Sequence, residues 1–110
     1  MSLQACANLV ARADPERFSA AMAAPIAARA VLLPVYAASI EVARAPWLTQ
    51  EPIIAEMRLQ WWRDVLEEIE TGRPRKHEVV DALAPVLGPK GAAALDAMVL
   101  ARRWDIYKEG

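Results

Sequence analysis

Cysteine and histidine are almost absent from this chain. Its 110 residues hold one of each, Cys6 and His77. A single thiol excludes an intramolecular disulfide and any multi-cysteine zinc module. A lone histidine excludes a His-rich metal site, and any Ser-His-Asp or Cys-His engine would have to use His77. Four glycines, none in the spacing of a phosphate loop, exclude a Gly-rich nucleotide cradle. Neither sign of charge dominates. Thirteen Lys and Arg stand against 14 Asp and Glu, for a net charge of -1. That balance excludes a basic face for nucleic acid and an acidic tail. No useful period-2 alternation occurs, so strands are not expected.

Long apolar runs are also missing. The longest, Ala30 to Ile40, is broken by Pro34 and Ser39 and bounded by Arg29 and Glu41. A spanning helix needs roughly 20 apolar residues, so this run reads as a buried helix and not a membrane span. No early basic cluster precedes an apolar core, so no signal peptide is expected. These readings point to a cytoplasmic protein, peripheral to a membrane at most.

What is present is helical. Hydrophobic residues make up 55% of the chain, which argues against disorder. Much of that share is alanine, a strong helix former with a small side chain. Ser2 is placed to cap a first helix to about Ala13. Asp14-Pro15 restarts the chain as N-cap and first helical residue, for a second helix from Glu16 to Ala24. Pro25 opens a third helix to about Ala45, which Pro34 should kink or split. A fourth is expected from Glu51 to Thr71, with Gly72 as its stop. A fifth runs from His77 to Leu87 and a sixth from Gly91 to Lys108. The fold class is therefore all-α, a helical bundle forming one unit over residues 1–110.

The fourth helix is the most informative. At 100° per residue, Ile54, Ala55, Trp61, Trp62, Val65, Leu66 and Ile69 share a broad face. Arg58 falls in the middle of it and is predicted to point inward. A buried guanidinium needs a partner, and Glu41 on the third helix is the best candidate. The third helix is apolar nearly all round, so it should be central. Its charges, Arg29, Glu41 and Arg44, fall on one side, facing solvent or a polar cavity. Other features read as structural. Asp64, Glu67 and Glu68 suit a solvated acidic edge beside Arg63 more than a cation grip. Lys76-His77 opens a helix, Cys6 is a small buried hydrophobe, and Trp104 with Tyr107 forms a packing stripe. Arg73, Arg75 and Lys76 make a solvated basic turn.

Four stretches in order carry a family resemblance. They are Asp14-Pro15-Glu16-Arg17-Phe18, Leu33-Pro34-Val35-Tyr36-Ala37, Arg58-Leu59-Gln60-Trp61-Trp62-Arg63-Asp64 and Gly72-Arg73-Pro74. Over about residues 14 to 87 the chain resembles the squalene/phytoene synthase family. The resemblance implies the N-terminal portion of an isoprenoid synthase-type fold. Active members are head-to-head prenyl transferases that act on farnesyl or geranylgeranyl diphosphate. An Asp-rich motif after their Tyr-Ala step holds Mg²⁺, a hard cation that takes oxygen ligands.

This sequence departs from that pattern. Ala43 and Arg44 stand where the aspartate pair would fall, Trp47 where the next would, and Glu41 alone is a poor substitute. No aspartate lies between Asp14 and Asp64. In this the chain is similar to the divergent subgroup related to a mitochondrial complex I assembly factor. The resemblance then implies a non-catalytic binding or assembly protein with no catalytic residue, no metal residue and no cofactor of its own. Tyr36, Glu41, Arg44, Arg58, Trp61 and Trp62 are its candidates to face a ligand or diphosphate. Expected partners are a prenyl diphosphate or lipid-like ligand, and a protein or second copy on exposed helix faces, with no nucleic acid. The alternative is an active prenyl transferase of isoprenoid biosynthesis, seen here as an inactive fragment. Family members are more than twice as long, so this chain corresponds to their N-terminal part.

Overall fold

The structure is a computed structural model and describes residues 2–107. The side chain of Ser2, and with it the expected cap, lies outside the described residues, as do Lys108 and Gly110. The described residues form six α-helices and no strand. They are α1 (Ser2–Ala13), α2 (Pro15–Ala23), α3 (Ile26–Arg44), α4 (Pro52–Glu70), α5 (Glu78–Leu83) and α6 (Pro89–Tyr107), with a 3₁₀ turn at Ala45–Trp47.

Local chemistry sets most of these boundaries. The Asp14 carboxylate accepts the Arg17 N–H at 3.2 Å, so α2 starts on a side-chain cap with Pro15 behind it. The carbonyls at the other end of α2 find a cation. Arg29 donates to Ala24 O at 3.1 Å and Met22 O at 2.6 Å. Arg29 therefore serves α2 and does not join Glu41 and Arg44. Gly72, at φ +80°, ends α4 in the left-handed region open to glycine. Arg73 N–H reaches Glu68 O at 2.9 Å and Gly72 N–H reaches Ile69 O at 3.2 Å, the paired bonds of a Schellman stop.

Two prolines shape the helices in different ways. α3 runs unbroken through Pro34, which is buried inside it. Packing from α1, α2, α5 and α6 surrounds α3 and holds the helix despite the missing N–H. α5, by contrast, stops at Leu83 instead of Leu87. Ala84 keeps helical backbone, at φ -53° and ψ -44°, but Pro85 has no N–H to continue the ladder. α6 begins two residues early because Pro89 suits a first helical position.

The core is built from Cys6 and Val10 of α1, Leu33, Ala37, Ala38 and Val42 of α3, Val80 and Leu83 of α5, and Val99 of α6. α4 adds Leu59, Trp62, Val65 and Leu66 to the same cluster. The small residues of α3 let its neighbours approach closely, which fits its central position. Residues 26–47, α3 with the 3₁₀ turn, are long and apolar enough by length and composition to cross a membrane. The run is thus longer than the sequence reading allowed. A core helix meets the same two criteria, and α3 packs against four others.

Candidate functional site

α4 packs along α6 and against the 3₁₀ turn, leaving a groove between its outer flank and the end of α3. The groove has a volume of about 550 Å³. Glu41 and Ala45 form one wall, and Met57, Arg58, Trp61 and Trp62 form the other. Leu48 and Ile54 line it further, and His77 stands at its edge. Four of the six candidate residues, Glu41, Arg58, Trp61 and Trp62, therefore meet at one site. Arg44 adjoins it through Glu41. Tyr36 does not line it. That ring is half-buried elsewhere, with the Arg17 guanidinium 5.3 Å from its centroid.

The orientation of Arg58 differs from expectation. Its side chain is exposed on the groove flank and makes no hydrogen bond or ion pair among the described residues. The buried residues of α4 are Ala55, Leu59, Trp62, Val65 and Leu66, at helical spacing along one face. Leu59, fully buried, was the residue the sequence reading left out of that face. With Leu59 inside, Ile54 exposed and Trp61 half-buried, the inward direction turns away from Arg58 and Trp61. Glu41 is likewise paired differently: it accepts from Arg44 Nη2 at 2.9 Å, one turn along its own helix. The Arg44 Nε is buried with no partner among the described residues.

The groove's edge is braced by stacked rings and a clamp. Trp61 meets Trp62 edge-on at 5.0 Å, and His77 meets Trp61 at 4.9 Å. The Arg75 guanidinium lies 5.2 Å from the Trp61 centroid and forks onto Glu68 with bonds of 2.7 and 2.6 Å. The turn expected to be a solvated basic patch is thus tied down through Arg75. Those bonds from Arg75 hold the Glu68 carboxyl below its ordinary range and push the Arg75 guanidinium up. A lowered carboxylate pKa gives stability that is present above the unfolded value and lost as pH falls through the folded one. Glu68→Gln is therefore expected to lower the thermal midpoint at pH 7, with the gap from wild type narrowing as the pH falls below the ordinary carboxylate range. An equal gap throughout would show that the pair contributes nothing through its charge.

Other expected features resolve away from the groove. Arg63 pairs with Asp96 of α6 at 2.9 Å, and Asp64 accepts from Gln60. No group of three or more His, Cys, Asp or Glu among the described residues is arranged to hold a metal ion. A larger groove of about 700 Å³ lies between α4 and the start of α6 and contains none of the six candidates. Trp104 and Tyr107 are exposed and do not form a buried stripe. The Tyr107 hydroxyl donates to Glu56, which also takes two bonds from Arg103. Those contacts, Tyr107 first, keep the Glu56 carboxyl low, and the bond to Glu56 pushes the Tyr107 hydroxyl up. Burial raises the Cys6 thiol to about 11, so it stays protonated and inert.

A sequence model of the squalene/phytoene synthase family matches residues 10–110. The chain belongs to the squalene/phytoene synthase family. No curated protein and no solved structure matches it. The family match extends beyond the stretch the motifs marked, into α1 and through α6. Within the α4 block, Trp62 lies in the core and lines the groove together with Arg58 and Trp61.

The Mg²⁺ expected for active squalene/phytoene synthases does not fit the donors here. The stretch after Tyr36-Ala37 offers one carboxylate, Glu41, and Arg44 already occupies it. Ala43 and Trp47 carry no oxygen side chain, and a guanidinium repels the cation.

Proposed function

We propose that this chain is a non-catalytic member of its family that binds an amphiphile, an apolar prenyl-like tail with an anionic head, in the α3–α4 groove. The observation that carries this reading is the division of charge in the groove. Arg44 neutralises Glu41, and Arg58 stands exposed beside Trp61 with no partner among the described residues. A guanidinium suits a phosphate head through charge-assisted bonds, and the tryptophans offer an apolar wall to a tail. Metal-independent binding follows, because no step of this recognition uses a cation.

A role in assembly is the second part of the reading. Trp47, Ile53 and Met57 are 74%, 70% and 66% exposed, and all three sit near the corner where the 3₁₀ turn meets α4. Exposed large apolar residues gathered in this way mark contact surfaces.

The test is binding of farnesyl phosphate, followed by tryptophan emission, in EDTA and then in excess Mg²⁺. Equal affinity in both is the expected result. Binding that appears only with Mg²⁺, together with release of inorganic diphosphate from farnesyl diphosphate, would overturn it in favour of a working prenyl transferase.

A further inference from the structure

We propose that His77 is a pH-sensitive latch: its neutral ring caps α5 and closes the edge of the groove, and protonation releases both. The ring Nδ1 accepts the Val79 N–H at 3.1 Å, in the N-cap position of α5. That bond needs a lone pair on Nδ1. An imidazolium donates from both nitrogens and has none to offer. The same ring contacts Trp61 at 4.9 Å and Trp62 at 6.2 Å and lines the groove. One proton therefore acts on the start of α5 and on the groove's edge together.

The surrounding charges decide where a released ring goes. Across the groove stand Glu41 of α3 and Arg58 of α4. The loop brings Arg75, over the Trp61 ring, and Lys76. α4 also carries Glu68 and Asp64, both near Arg75. From α5 come Glu78 and Asp81, and α1 carries Arg12 and places Cys6 close to Glu78. The Asp81 carboxylate already receives the His77 backbone N–H at 3.4 Å. A charged ring would turn from accepting at Val79 to donating toward these α5 carboxylates. Arg58, Arg75 and Lys76 repel it from its place against Trp61. The latch needs no bound ligand, so it stands or falls apart from the binding reading.

The experiment titrates the whole chain from about pH 8 to pH 5. NMR follows the His77 ring, the Val79 amide and the Trp61 indole. All three are expected to move with one midpoint. Val79 hydrogen exchange, corrected for its intrinsic pH dependence, should quicken about fivefold, the ratio that a lost N-cap gives. His77→Asn supplies a cap that does not titrate, so the movements at Val79 and Trp61 should vanish while the fold persists. A Val79 amide that stays fixed while the His77 ring titrates would overturn the latch. So would the same pH dependence in His77→Asn.

Discussion

Trp62→Ala is expected to destabilise the chain by about 3–5 kcal/mol, while Trp61→Ala costs much less. The two residues are adjacent and chemically identical, so the contrast isolates burial. Trp62 is 5% exposed and joins the core cluster with Leu59 and Val65. Trp61 is half-buried, held by ring contacts and the Arg75 guanidinium at the groove's edge. A domain of this size has about 5–15 kcal/mol of stability in total, so the Trp62 change removes a large share of it. Urea unfolding followed by far-UV circular dichroism measures both variants. The expected outcome is a midpoint that collapses for Trp62→Ala and shifts modestly for Trp61→Ala. Equal losses would mean that Trp61 is as much a core residue as Trp62.

Arg58→Glu is expected to weaken farnesyl phosphate binding by about tenfold or more, with thermal stability little changed. The side chain is exposed and makes no bond that folding would lose. Its removal therefore reports on the ligand alone. Reversal also places two carboxylates, this one and Glu41, on facing walls of the groove, which repel the head group. Arg58→Lys should recover part of the affinity, since it keeps the charge and loses the fork. Titration of both variants by tryptophan emission decides the matter. Unchanged affinity in Arg58→Glu would remove the anion contact from the proposal.

Much of the fold was legible because punctuation in the sequence is chemical. Asp14-Pro15, Pro52 and Gly72 start and stop helices through groups that can or cannot form a particular backbone bond, and the structure uses each that way. The failures have equally specific causes. α5 was drawn across Pro85 because the apolar residues beyond it look periodic, but periodicity does not supply an N–H. Pro34 was expected to kink or split α3; the helix is not split there, because tertiary packing holds it. Arg58 was turned inward by an arc drawn without Leu59. The same arc counts Ile54, which is exposed, and Trp61, which is half-buried; correcting all three shifts its centre and leaves Arg58 toward the rim. The partner of Glu41 was missed for a related reason. Arg44 lies one turn away on the same helix, and the reading looked across a loop for what was local. The contribution of His77 was not legible at all, because a ring against a tryptophan 16 positions earlier leaves no trace in local spacing.

The ties between α4 and α6 have a mechanical meaning. Glu56 is held by Arg103 and Tyr107, and Arg63 holds Asp96, so the antiparallel pair is riveted two turns apart. Sliding one helix past the other by a single turn, about 5.4 Å, would break both rivets at once. The two helices thus behave as one rigid beam. α5, six residues long and capped by a single ring, is the compliant member beside it. Hydrogen exchange should divide the molecule along that seam, with α5 opening in a fluctuation that leaves the beam intact.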